Sequence, residues 1–279
     1  MSTRSAAAFR SDLQRASGSL GIAIVRRGDA SVLADLRQVG CLKARFPRPA
    51  GWFEAVSLNS SGGVAGGDRL DIALTLGPGA RACIASQAAE RFYRSRRADP
   101  PSRLRTEIAL AAGAAAEWLP QEAILFDGAA LDRRLSVDLA PGSAFLGVES
   151  LVFGRTAMGE RIGALRLADT IRVRRGGRLI LHDAIRLDGD AASALARPAI
   201  ARGGGAVATL IHIAPDAADR LAALRDAWQG TAAEAAASAW DGMLLGRIVA
   251  ADGAFLRAAV LAGLAALRDG RPLPRVWQC

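Results

Sequence analysis

Five carboxylates interrupt segments that are otherwise apolar: Glu117, Glu122, Asp127, Glu149 and Glu160. Acidic groups in such surroundings serve three kinds of chemistry. Two that face one groove, as proton donor and acceptor, cleave glycosidic bonds. A file of them lines a polar passage along which a hard or borderline metal ion can move. Singly, each is neutralised by arginine in a buried ion pair, for which Arg155 and Arg161 are near in sequence. Glu149 lies in the run Ala144 to Phe153, where the period of two lets it face either side of a strand. Residue type alone leaves the three open.

The other chemical candidates are thinner. His182 and His212 are the only histidines, and neither has further His, Cys or carboxylates at metal-ligand spacing, although Asp183 follows His182. A stable zinc or nickel site takes three or four such ligands, so both read as structural histidines and no stably bound metal is expected. The segment Ser60 to Leu70, SSGGVAGGDRL, is glycine-rich, but no Lys-Ser/Thr follows Gly67 and the next residues read as a strand. That departs from both the phosphate loop and the dinucleotide fingerprint. Gly62, Gly63, Gly66 and Gly67 are better explained as tight turns or close backbone approach. Asp68 then stands at the mouth of a strand, available to a cation or a partner. No Gly-x-Ser-x-Gly elbow is present.

The elements that must position these groups show a recurring phrase. Asp71 to Ile84, Glu107 to Leu119 and Ser136 to Val148 each read as an alternating strand, a glycine, a small residue and another strand. Thr170 to Leu181 is a looser fourth copy, and the marker glycines Gly79, Gly113, Gly142 and Gly177 lie 34, 29 and 35 residues apart. Each phrase predicts a β-hairpin, and the recurrence predicts a solenoid-like or layered β architecture, with an ordinary β-sandwich of similar hairpins as the alternative. The fold class is therefore mainly β, with the β core over about 20–213. Asp216 to Trp228 and Asp252 to Arg268 carry helical spacing behind an acidic start, with Gly230 and Gly270 as stops. Two C-terminal helices are expected in a helical region over about 214–279, within a single domain spanning 1–279.

Composition narrows the function classes. The net charge is +9, carried by arginine, with Lys43 the one lysine. The arginines are scattered and no zinc-finger or RNA-binding motif accompanies them, so a solvated face or an acidic protein partner is expected rather than nucleic acid. Cys41, Cys83 and Cys279 form an odd set without a Cys-x-x-Cys pair, which fits a reducing cytoplasm. Met1 to Leu20 has no signal-like apolar run, and later apolar stretches are too short to span a membrane. A cytoplasmic protein with no membrane partner is expected.

Five motifs in order carry a resemblance. They are GGVAGGDRL (Gly62 to Leu70), SQAAERFYRS (Ser86 to Ser95), EWLPQEAILFDGA (Glu117 to Ala129), GVESLVFGRTAMGE (Gly147 to Glu160) and PRVW (Pro274 to Trp277). Together they resemble the urease accessory protein family UreD, also called UreH, from about residue 40 to the end. The resemblance implies a non-catalytic maturation factor with a β-helical fold and a few helices. It implies binding to UreF, which recruits the GTPase UreG, a dimeric assembly through the UreF complex, and docking on apo-urease. Nickel would be cargo in transit, GTP would sit on the partner GTPase, and a water-filled passage is the proposed nickel route. The family's functional positions map onto Asp68, Gln87, Tyr93 and Glu149; with Arg155 and Glu160 these form the expected passage or partner-contact set. The N-terminal region through Arg37 carries little of the pattern, and Ser60 and Ser61 stand where Pro or Thr is expected.

Beside that reading stands a β-helix enzyme acting on carbohydrate, with Glu149 and a second carboxylate as acid and base. An arginine-driven RNA-binding protein is the third. The C-terminal helices and the PRVW tail are the natural docking surfaces.

Overall fold

The computed structural model describes residues 15–48, 51–155 and 158–278. Within them the chain passes repeatedly between two sheets, laying each new strand parallel to the one before it in the same sheet. In the first sheet β1 (Ser17–Arg27), β5 (Arg69–Leu76), β8 (Ser102–Leu110), β11 (Ala130–Leu139) and β13 (Ala164–Arg175) run side by side. In the second, β4 (Phe53–Asn59), β6 (Arg81–Ser86), β9 (Ala115–Leu119) and β12 (Ala144–Phe153) do the same. Two short parallel strands, β7 (Glu90–Phe92) and β10 (Ala123–Leu125), continue from β12 and form a third side.

Antiparallel strands finish both sheets. β2 (Ala30–Gly40) flanks β1, β3 (Leu42–Arg45) flanks β4, and β14 (Arg178–Asp190) flanks β13. Beyond β12 lie β15 (Ala206–Ile213), β17 (Met243–Ala250) and β16 (Glu234–Trp240). The mainly β, layered, solenoid-like expectation is met.

The hairpin reading is corrected. Strands on either side of Gly79, Gly113 and Gly142 belong to different sheets, so these phrases are the corners of successive coils rather than hairpins. Each corner closes with a backbone bond, from Ala80 N to Gly77 O, Ala114 N to Ala111 O and Ser143 N to Ala140 O. Neighbouring corners are tied together: Ala115 N donates to Ala80 O and Ala144 N to Ala114 O, both at 2.9 Å. The glycines take φ of +65°, +68° and +75°, the left-handed value a type II corner needs at its third residue. Only the fourth copy is a hairpin, with Gly176 and Gly177 joining β13 to β14.

Parallel stacking puts the inward residues of each coil in columns. Ile72, Thr106, Leu135 and Ile171 are in register, and so are Leu74, Ile108, Val137 and Val173. All eight are buried. The outer face of the first sheet is charged instead, with Arg103 paired to Asp71 and Arg105 to Asp132. Such exposed pairs keep an uncovered sheet soluble and add little stability. They use some of the arginine excess.

The outer face of the second sheet is covered by α2 (Leu221–Trp228) and α3 (Gly253–Leu267), whose Leu224, Trp228, Leu256, Val260 and Leu264 bury against Val148, Leu210 and Leu244. Asp252 caps α3, its Oδ1 accepting from Ala254 N and Phe255 N at 2.8 and 3.0 Å. α2 begins at Leu221, later than Asp216, because that carboxylate is taken by the Arg220 side chain at 2.8 Å rather than by backbone amides. A further short helix, α1 (Ala191–Ala196), follows β14. The region beyond residue 213 is not simply helical: β16 and β17 lie between the two expected helices. Asp241 and Gly242, at φ +48° and +67°, join them in a two-residue hairpin that extends the second sheet.

Gly113→Ala adds a Cβ with only ordinary contacts, 3.9 Å from Gly79. Its expected cost is therefore conformational, about 1–2 kcal/mol for an L-residue at positive φ. A urea titration should show a lower midpoint with an unchanged slope. An unchanged midpoint would refute the corner assignment.

Candidate functional site

Between the two sheets lies a cavity of about 300 Å³. Its mouth carries Gly62, Gly63, Asn59, Gln87 and Glu90; its wall includes Trp118, Pro120 and Gln121; its inner end is formed by Arg133 and Glu149. Gly62 and Gln87 are exposed, so the mouth is at the surface, whereas Arg133 and Glu149 are buried.

The strand register explains the inner end. Arg133 on β11 points inward between Leu131 and Leu135, and its partner in the adjacent strand is Asp169 of β13. The two form a forked pair, Nε to Oδ1 at 2.8 Å and Nη2 to Oδ2 at 2.7 Å. Glu149 reaches the same guanidinium from the opposite sheet, with Nη1 to Oε2 at 2.7 Å. Its other oxygen accepts from Trp118 Nε1 at 2.9 Å. One arginine thus serves two carboxylates in an apolar interior, leaving one negative charge uncompensated when both are ionised. Burial accordingly pushes the Glu149 carboxyl above its ordinary range; Arg133 opposes this and Asp169 adds to it.

Glu117 shows the reverse count. It faces the helical side of β9, where Arg268 Nη2 and Arg271 Nη2 both reach it at 2.8 Å. Burial acts to raise its carboxyl, but two guanidinium groups on one carboxylate outweigh it and hold it below the usual range. Near the cavity mouth Glu90 has no arginine bond of this kind; burial raises it, and Asn59 Nδ2 at 3.2 Å only partly offsets that. Cationic partners thus separate the arginine-bound Glu117 from carboxyls that burial raises, namely Glu149, Glu90 and Glu54. Of these, Glu149 and Glu90 line one cavity, at its two ends.

The other residues expected from the sequence separate into two further places. Asp68 is buried but does not line the cavity: Oδ1 accepts from Ala16 N at 2.8 Å and Oδ2 from Ala65 N at 2.7 Å. It holds the loop of Gly66 and Gly67 onto the start of β1. Tyr93, Arg155 and Glu160 gather around Phe126: Tyr93 meets its ring edge-on at 5.1 Å, Arg155 lies over it at 4.2 Å, and Arg155 Nε pairs with Glu160 at 2.9 Å. The Tyr93 hydroxyl donates to Gly62 O at 2.7 Å, linking this cluster to the cavity mouth. The close approach requires glycine at Gly63, where a Cβ would lie 2.4 Å from the Tyr93 ring. Of the expected set, the cavity joins Gln87 and Glu149.

The remaining carboxylates find arginines that lie far along the chain. Glu122 pairs with Arg257 and Asp127 with Arg94, so the expected partners Arg155 and Arg161 account only for Glu160. Glu149 and Asp169 share one guanidinium and do not flank an open groove as a glycosidase pair would. Among the described residues, no three His, Cys, Asp or Glu converge as a metal-binding group. His212 is half-buried, with neither ring nitrogen hydrogen-bonded, and burial lowers its pKa. Cys41 and Cys83 are free thiols, and Cys279 lies outside the described residues. No described helix is long and apolar enough to cross a membrane.

Sequence reading missed Arg133, Asp169, Trp118 and Glu90. Arg133 sits in the charged run Asp132-Arg133-Arg134, which resembles a solvated stretch. The usable signal was alternation: in ALDRRLSVDL the inward set is Leu131, Arg133, Leu135, Val137 and Leu139.

Residues 16–278 match the family model described as UreD urease accessory protein. The chain is 48% identical over 273 residues to a urease accessory protein UreD of Methylobacterium sp. (strain 4-46), covering 95% of each chain. It is 44% identical over 291 residues to that of Xanthobacter autotrophicus, covering 99% of each. Against that of Rhodopseudomonas palustris (strain BisA53) the identity is 44% over 264 residues, covering 94% of this chain and 91% of the relative.

Two outcomes follow from this geometry. Asp68→Ala orphans two backbone donors and should cost about 1–3 kcal/mol for each, read by urea unfolding; wild-type stability would show that the loop does not depend on it. The native state also holds the Glu149 proton more tightly than the unfolded chain does. Its contribution is therefore fully present below the ordinary value of 4.5 and is lost as pH rises through the raised one. Measured against Glu149→Gln, wild-type stability should fall as pH increases across that window, and a rise would contradict the charge count.

Proposed function

Because this chain belongs to the UreD family of urease accessory proteins, a family of maturation factors rather than catalysts, we propose that it assists nickel delivery into urease through the cavity between its sheets. The observation that carries this reading is Glu149 at the inner end of the cavity, bearing negative charge that its arginine does not fully cancel. Glu90 supplies a second carboxylate near the mouth. Nickel(II) is a borderline ion that carboxylates and water can pass along. A route must not hold its cargo, and two separated carboxylates fit transit better than storage.

The proposed partners are apo-urease and UreF, with UreG recruited through UreF and the GTP bound on that GTPase. The UreF complex would also supply the dimeric assembly, in the cytoplasm. An apolar outer face on α3 supports protein docking: Ala254, Phe255, Ala258 and Ala265 are exposed there. The PRVW tail is a poorer docking surface than its sequence implied. Trp277 is buried, donating to Leu119 O at 3.0 Å and stacked under Arg257.

Glu149→Gln and Glu90→Gln should each lower urease activation at limiting nickel, of the order of tenfold, with excess nickel restoring much of the loss. The measurement is urease activity in cells co-expressing the structural and accessory proteins, with circular dichroism to confirm folding. Full activation by both folded variants at limiting nickel would remove the cavity from the ion's path.

A further inference from the structure

The inner end of the cavity contains a cation already. Arg133 is buried, and its guanidinium engages Asp169 through two nitrogens and Glu149 through the third. Asp169 arrives from the neighbouring strand and Glu149 from the opposite sheet, so both carboxylates converge on one position from two sides. Without the guanidinium, that position would be a pocket faced by two carboxylates, with Trp118 Nε1 fixing the orientation of one of them. Two carboxylates at one end of a water-accessible cavity are hard donors able to hold a divalent ion.

We propose that Arg133 is a built-in counter-cation that keeps the inner end of the cavity from retaining the metal ion, so that cargo meets Glu149 only in passing. The proposal rests on the reading of the cavity as the ion's route. Arginine suits the task because its guanidinium stays charged and its planar fork spans both carboxylates at once. A divalent ion at Glu149 must compete with a tethered charge 2.7 Å away, and the forked bonds to Asp169 keep that competitor in place. Lysine could not reproduce this: a compact ammonium satisfies one carboxylate well and leaves the other open.

The test compares the full chain, wild type and Arg133→Met, titrated calorimetrically with nickel(II). Methionine keeps an unbranched apolar stem and removes the charge. The expected result is roughly tenfold or greater tightening of nickel binding, abolished again in the double variant R133M/E149Q. Urease activation at limiting nickel should fall, because the ion is now held. Should Arg133→Met fail to fold, Arg133→Lys retains a charge and is expected to show a smaller gain of the same sign. A folded variant that binds nickel no more tightly than wild type overturns the inference and leaves the proposed route untouched. Tighter binding with undiminished activation overturns the route itself, and the role of Arg133 in it.

Discussion

The constraint on which the rest of the structure depends is the parallel register between successive coils. Each coil begins and ends where its neighbour does because its corner is bonded to the next corner, as in Ala115 N to Ala80 O and Ala144 N to Ala114 O. A slip of one residue would turn every inward side chain outward. The columns of leucine, isoleucine and valine between the sheets would then be lost together. The same register sets Arg133 beside Asp169 and turns Glu149 toward them from across the interior. The polar group at the inner end of the cavity is thus one charged row in a mostly apolar stack.

That row is costly to bury. A forked ion pair in such a place contributes little net stability, since desolvation consumes most of the attraction. Leucine columns on either side show that an apolar replacement would fit the pattern of the strand. The charges are better understood through what they make available, a carboxylate with spare negative potential inside a cavity. Glu117, on the other face of the same sheet, has two arginines and no such excess. Arginine count, more than burial, distinguishes the structural carboxylate from the functional candidate.

Much of this was legible in the sequence, and what was not has a common cause. Alternation and left-handed glycines are local properties, so the strands, the presence of a turn at each marker glycine and the α3 cap at Asp252 could be read directly. A hairpin and a coil corner share those properties, and only the identity of the pairing strand separates them; that is a non-local fact. Glu149 was visible as an acidic interruption, but its arginine was sought nearby and lies on another strand. The β16–β17 hairpin was obscured by alanine, a helix former, although Asp241-Gly242 carried the turn signal. Asp68 was legible as important and not as what it is, a holder of two backbone amides.

The C-terminal residues bear on how the molecule is made. Gln121, on the cavity wall, donates to Gln87 O at 3.1 Å and to Val276 O at 2.8 Å, the latter across 155 positions of chain. Arg257 adds a bond to Trp277 O at 2.9 Å. Coils can assemble in the order of synthesis, because each needs only the one before it. The wall of the cavity cannot acquire its full set of bonds that way. It waits for a segment 155 positions beyond Gln121, so the coils can be almost wholly assembled while the cavity wall is still unfinished.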